Sequence, residues 1–282
     1  MTLFYLLLLG RIILLGFEKV FVKKLQKYDS VVVTFWWFFL STVVFALLAL
    51  ARGPEYFFYT PLFFIAPLFY GVAFVLYTKS LKIADISLVS PLYNFNAVFL
   101  LVLASLFLGE SFTVFKVLGI LLLLFGSSFL TVGKNLFHSL RKLFTNRAAL
   151  YMLICSLLIA FGRIIDGFVV QENDPVFYAT MLDLIISVYL FIYILFRGKI
   201  SKIFTIIKER PVLTSAMGIF NGLSYLFLLF AFTKIDVSIA EPATMLGAVV
   251  AILLGKIFFK EKIKSRMIGA FVMIIGAWLL FI

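Results

Sequence analysis

The 282-residue sequence has one cysteine and one histidine. Cys155 cannot close an intrachain disulfide, and His138 sits in a basic connector with no evident carboxylate partner, so no disulfide framework and no Cys/His metal cluster can be read from the chain. Charge is scarce too: Asp, Glu, Lys and Arg make up 13% of the residues, against about 25% in an average soluble domain. No Walker-type glycine loop is present, which excludes ATP-driven pumping by this chain alone. What is abundant is apolar side chain, at 64% of residues with a mean hydropathy of +1.18. Soluble domains average roughly 45–50% apolar, and a globule of this size could not bury the excess. A soluble enzyme, a nucleic-acid binder and a disordered chain are therefore excluded. The first partner of this protein is the lipid bilayer, with no role for nucleic acid despite the net charge of +12.

A membrane helix needs about 20 apolar residues. Ten such runs are present, at roughly 3–22, 31–51, 58–78, 86–108, 114–133, 148–170, 175–196, 211–233, 238–259 and 265–282. Each run is continuously apolar and not alternating, which predicts helices over a barrel. Pro175 and Pro211 open the seventh and eighth runs, where a missing N–H does no harm. Met1 to Leu15 lacks a basic n-region and carries Arg11, so it reads as a retained helix and not a signal peptide. The connectors are too short for a folded soluble domain.

The basic connector 134–147 divides the chain into halves of five spans, 1–133 and 148–282. The halves match. With Asp85-Ile86-Ser87 laid on Asp236-Val237-Ser238, Gly71 falls on Gly222, Pro91 on Pro242 and Glu110 on Glu261. With one residue's slip, Gly119 falls on Gly269 and Gly126 on Gly276, and Asp29-Ser30 lies on Asp174-Pro175 with a similar offset. An odd number of spans per copy sets the copies in opposite senses. The expected fold is thus all-α and polytopic, with ten transmembrane helices as two inverted five-helix repeats, an arrangement typical of secondary transporters.

The stretch Asp85 to Gly126, with Ser87-Leu-Val-Ser-Pro91 and Leu108-Gly109-Glu110, and the stretch Asp236 to Gly276, with Ala240-Glu241-Pro242 and Lys260-Glu261, both resemble the end of an EamA domain of the drug/metabolite transporter superfamily. The resemblance covers the whole chain as two tandem domains. The proline-to-glutamate spacing is 19 residues in both halves. The second copy departs from the pattern, with Lys260 where glycine usually precedes the glutamate. The resemblance implies a ten-helix transporter of metabolites, amino acids or drugs.

The odd-numbered connectors hold eighteen of the basic residues, whereas the even side holds only Arg52, Lys116 and Lys234. The positive-inside rule then places the odd connectors in the cytoplasm and both termini outside, although members of the family usually have cytoplasmic termini. The inner (plasma) membrane of the cell is the expected location.

Charges in mid-membrane cost about 2.5–3.5 kcal/mol each on insertion scales and mark sites by default. Span one has Arg11, Glu18 and Lys19. Span six has Arg163 and Asp166, an i,i+3 pair that can meet on one face. The repeat lays Glu18 near Arg163, so helices one and six are expected to face each other across a central cavity; a static pair locking two helices is the competing reading. Asp183 stands alone in span seven. Pro242 leaves the carbonyl of Ser238 free, and Pro91 that of Ser87, which is tolerated where backbone lines a cavity. The expected substrate-binding set is Glu18, Ser90, Asn94, Arg163, Asp166, Asn221, Tyr225, Glu241 and Thr244, with Ser87 and Ser238 on the stripes of spans four and nine, Ser224 in the polar patch of span eight, and Tyr70 and Tyr77 as a similar patch of span three. Ala243, Gly247, Ala251 and Gly255 read as a packing ladder. The repeated glycines of spans five and ten read as a close face, open to an intramolecular or a homodimer contact. Glu110 and Glu261 each stand just before a helix and read as capping or loop-pairing groups.

The expectation is a secondary transporter for a small polar metabolite or an amino acid, needing no cofactor, with Glu18, Asp166 and Glu241 available for proton coupling. A non-transporting membrane partner or sensor is the alternative. An intramembrane lipid-modifying enzyme is weaker, because no His/Glu metal motif, no paired-aspartate motif and no activated cysteine is present.

Overall fold

The computed structural model describes residues 1–25, 27–53, 60–83, 92–130, 147–259 and 267–282. Ser87, Ser90, Pro91, His138 and Glu261 of the sequence reading lie outside them. The helices are α1 (Thr2–Lys24), α2 (Ser30–Arg52), α3 (Leu62–Ile83), α4 (Asn96–Phe107), α5 (Val114–Leu130), α6 (Arg147–Val169), α7 (Pro175–Phe196), α8 (Ile200–Glu209), α9 (Pro211–Phe232), α10 (Val237–Ala243), α11 (Gly247–Phe259) and α12 (Met267–Leu279). No strand occurs among the described residues. Helix satisfies its backbone groups internally, which an apolar solvent demands.

Five segments, Ser30–Ala51, Arg147–Val169, Pro175–Phe196, Pro211–Phe232 and Val237–Leu254, have the length and apolarity to cross a bilayer, and four further apolar helices are shorter. Leu47, Leu50, Leu106, Phe271 and Trp278 are exposed, whereas Arg11, Glu18, Arg163, Asp166, Asp183 and Glu241 are each at most 7% exposed. Large apolar side chains outside and ionic groups inside reverse the arrangement of a water-soluble globule. This is an integral membrane protein.

Local signals explain the helix ends. Asp29 and Asp174 occupy equivalent places in the two halves, and each is an N-cap. The Asp29 carboxylate accepts from the Val31 N–H at 3.0 Å and the Asp174 carboxylate from the Phe177 N–H at 2.9 Å. The connector 197–210, which reads as loop by composition, holds α8 instead. Its Ile203 and Ile206 are buried, while Lys202, Phe204 and Lys208 are exposed, so one apolar stripe suffices to hold it.

The chain forms two compact units, each drawing on both halves of the sequence: Met1–Gly71 with Ile165–Lys234, and Val72–Ile164 with Ile235–Ile282. In the first unit α2 packs on α7 and α9 packs on both α1 and α2. Small residues set these approaches. A Cβ on Gly218 would stand 2.5 Å from Leu40 Cβ, and the Ser41 hydroxyl donates to the Gly218 carbonyl at 2.9 Å. Two odd connectors also meet there: Lys27 Nζ lies 3.2 Å and Tyr28 Oη 2.7 Å from Glu209 Oε2, and Lys199 Nζ lies 2.7 Å from Asp29 Oδ2.

In the second unit α5 and α12 pack backbone to backbone. A Cβ on Gly119 would meet the Gly276 carbonyl oxygen at 2.7 Å, and one on Gly126 would meet that of Gly269 at 2.7 Å. The helices therefore run antiparallel, and the glycine face is filled inside the chain. The ladder from Ala243 to Gly255 is split, because Ala243 ends α10 and Gly247 begins α11.

Candidate functional site

Span nine is not one continuous helix. After Pro242 the chain tightens into a 3-10 turn, Thr244–Leu246, before α11 begins at Gly247. The proline removes a backbone donor and its ring crowds the preceding turn. The Thr244 hydroxyl donates to the Glu241 carbonyl at 2.7 Å. The first repeat breaks in the same place: Asn94 and Phe95 form a turn, and α4 starts at Asn96. With Asp236 laid on Asp85, Gly247 falls on Asn96, so both copies restart their helix at equivalent residues. The two interrupted segments belong to the second unit, where α10 packs against α4.

Ser156 of α6 meets the first break. Its hydroxyl is 2.7 Å from the Leu92 carbonyl and 3.1 Å from that of Tyr93, as well as 2.9 Å from the Met152 carbonyl within its own helix. The Leu92 carbonyl, which already accepts the Phe95 N–H at 3.2 Å, thus gains a second donor, and the Tyr93 carbonyl gains one from a neighbouring helix.

Two turns further along α6, Arg163 Nε lies 3.2 Å from Glu241 Oε1, with side chains 8% and 5% exposed. Glu241 Oε2 has no hydrogen-bond donor among the described residues. Buried carboxylate oxygens nearly always have one, so this position suits a ligand or a water. The Tyr93 hydroxyl stands within electrostatic reach of Cys155, Glu241, Arg163 and Tyr77, and the Tyr77 and Tyr93 rings meet edge-on at 5.5 Å. Arg163, Glu241, Thr244 and Asn94 of the expected set therefore belong to the second unit.

Glu18, Asp166, Asn221 and Tyr225 belong to the first. There the two Asp166 oxygens accept from Tyr70 Oη at 2.5 Å and Tyr178 Oη at 2.7 Å. Arg11 Nη1 donates to Ser224 Oγ at 2.6 Å, and Asn221 Nδ2 donates to Ser41 Oγ at 3.2 Å. Glu18, Asp183 and Tyr225 are buried in the same unit. Within its own unit Arg163 thus meets a glutamate from α10, and Asp166 meets two tyrosines.

The even connectors of the second unit are clamped together. Both Glu110 oxygens accept backbone N–H groups, from Val237 at 2.7 Å and from Ser238 at 2.9 Å. Glu110 thus pairs the two connectors and caps α10. Lys116 Nζ lies 2.7 Å from Asp236 Oδ2 and 3.0 Å from Ser238 Oγ. Sequence reasoning passes over Tyr178, Ser156 and Tyr93 as ordinary residues of apolar runs. Lys116 alone carries a signal, as a cation in the first turn of an apolar span.

Membrane helices interrupted at equivalent places in two repeats, with a buried ion pair beside one break, define a polytopic membrane protein built from an internal duplication. The chain belongs to the EamA-like transporter family, whose model matches residues 2–132 and 146–282, one match per half. Solved structures share the fold. One, titled only as the crystal structure of a protein, aligns over 99% of this chain and 97% of its own with a TM-score of 0.81 and 14% identity. Among curated proteins nothing matches.

Proposed function

We propose that this protein is a secondary transporter that moves a small zwitterionic or polar metabolite, an amino acid first among them, across the plasma membrane by alternating access. The observation that carries this reading is the Arg163–Glu241 pair beside the interrupted helix, with Glu241 Oε2 still open to a donor. A zwitterion fits both poles: its carboxylate engages Arg163 and its ammonium the open oxygen of Glu241. Asn94, Thr244 and Tyr93 supply neutral hydrogen-bonding groups around the same break. Half-helix ends near the membrane middle are how many carriers bind polar solutes.

The reciprocal contacts of α5 and α12 support an inverted relation of the repeats. Gly119 meets the counterpart of Gly126, and Gly126 meets the counterpart of Gly119, as at an isologous interface. The helices are antiparallel, so the two-fold axis lies across them, in the plane of the membrane. Proton coupling is assigned to the buried carboxylates Glu18, Asp166 and Glu241. Protonation of Asp166 would loosen its hold on Tyr70 of α3 and Tyr178 of α7, which couples charge to helix position. Export is the assigned direction.

The test is a thermal-shift screen of the purified chain against a metabolite panel, followed by flux of each hit in proteoliposomes. Amino acids or related zwitterions should raise the melting temperature of the wild type and be moved by it. A panel without a stabilising zwitterion, or stabilising compounds that are never transported, would overturn the reading.

A further inference from the structure

We propose that the first unit carries a binding groove for one anionic phospholipid, a site separate from any transport pathway. A groove of about 430 Å³ opens between the last turn of α1 and the first turn of α9, lined by Phe21, Pro211, Val212, Leu213 and Ala216, with Lys24, Glu209 and Arg210 at its end. Val212 is 81% exposed. The groove starts at the basic connectors and runs along the apolar faces of two spans, where the surrounding solvent is lipid. An acyl chain is therefore the occupant its walls fit.

The end of the groove selects the headgroup. Lys24 and Arg210 bring two cations there and Glu209 one anion. Lys27 adds a third cation 3.2 Å from Glu209, which also accepts from the Tyr28 hydroxyl at 2.7 Å, so the end of the groove is net positive. No side chain caps α9, whose first residue is a proline, so the N–H groups of its first turn add partial positive charge there, beside the C-terminal end of α8. Phosphate with a net negative headgroup satisfies all three features; a zwitterionic headgroup would set its own cation against them. The charge rule puts this end on the cytoplasmic side, the leaflet where anionic lipids attract basic juxtamembrane groups.

Native mass spectrometry of the full chain, delipidated in detergent and titrated with phosphatidylglycerol or phosphatidylcholine of the same acyl chains, tests this. Phosphatidylglycerol should saturate one site at a concentration lower by on the order of thirtyfold, since two basic contacts together contribute roughly 2 kcal/mol. The exposed pair of changes Lys24→Gln and Arg210→Gln should erase the preference, Lys208→Gln should leave it intact, and Ala216→Phe should weaken retention of both lipids. Equal retention of the two lipids by the wild type would overturn the proposal. So would a preference that survives in the double variant or is lost equally in Lys208→Gln. A lipid-free dimer that Ala216→Phe disrupts would assign the groove to a second copy instead.

Discussion

Neutralising Glu241 should destabilise the protein severely, and neutralising Arg163 as well should restore most of what is lost. At 3.2 Å two unit charges interact by about 5 kcal/mol at an effective dielectric near 20. Removing one partner of a buried pair typically costs about 3–5 kcal/mol, because the other charge stays behind in a dry site. Glu241→Gln should thus lower the melting temperature by roughly 6–20 °C on the scale of a domain of this size. Arg163→Gln with Glu241→Gln removes both charges and leaves two amides able to bond each other, so a double-mutant cycle should return most of the loss as coupling. The assay is built into the chain. Cys155 is its one cysteine and is fully buried, so a thiol-reactive dye reports unfolding directly. The refolded double variant should be stable and inactive in transport. A Glu241→Gln melt within a degree or two of the wild type would refute the energetic reasoning. A double variant that still transports would make the pair a lock between α6 and α10 and not a binding site.

Gly126→Val should cost about 1–3 kcal/mol by overpacking, since its Cβ would stand 2.7 Å from the Gly269 carbonyl oxygen. Gly71→Ala, with nothing within 4 Å of its Cβ, should be neutral or slightly stabilising in the same melt. Glu110→Ala should cost about 2 kcal/mol, as two charge-assisted caps of α10 vanish, and should speed hydrogen exchange at Val237 and Ser238. The Lys27–Tyr28–Glu209 clamp gives a pH dependence outside the membrane. The Tyr28 hydroxyl, with Lys27, holds the Glu209 carboxyl below its ordinary value of 4.5. Its contribution is therefore present above that value and lost as pH falls through the lowered one. The Lys27 ammonium is raised above 10.5 by Tyr28 and Glu209, so its share is lost only in strong alkali. Glu209→Gln should remove the acid limb, read as protease accessibility of the connector.

The helices, the duplication and the glycine face were legible because each is a local pattern. A continuous apolar run specifies a span, and Gly119 and Gly126 stand one face apart whatever they touch. Asp29 and Asp174 announced their helices by type and position. Pro242 announced the break, though not that the first copy would turn at Asn94 and Phe95. Long-range partnership was less legible. Nothing in the sequence announced that Glu241 of α10 meets Arg163, or that Tyr70 of α3 and Tyr178 of α7 meet Asp166. Long-range pairing depends on which helices pack, and a single sequence does not encode that in its periodicity. Glu110 shows the same limit: its charge marked a helix N-terminus, but the helix it caps lies far along the chain. The helix α8 was hidden because a basic, mixed composition resembles a loop until its two buried isoleucines are seen on one stripe.

The central claim is that the interrupted helix around Glu241 lines a chamber that opens to each side of the membrane in turn. With Cys155 changed to Ser, a cysteine placed by Thr244→Cys reports this directly in vesicles of known sidedness. Thr244 is 4% exposed, so a static protein would protect it. Membrane-impermeant maleimide should modify that cysteine from either face, more slowly when a transported solute is present. Modification from neither face, or from one face under every condition, would contradict the account.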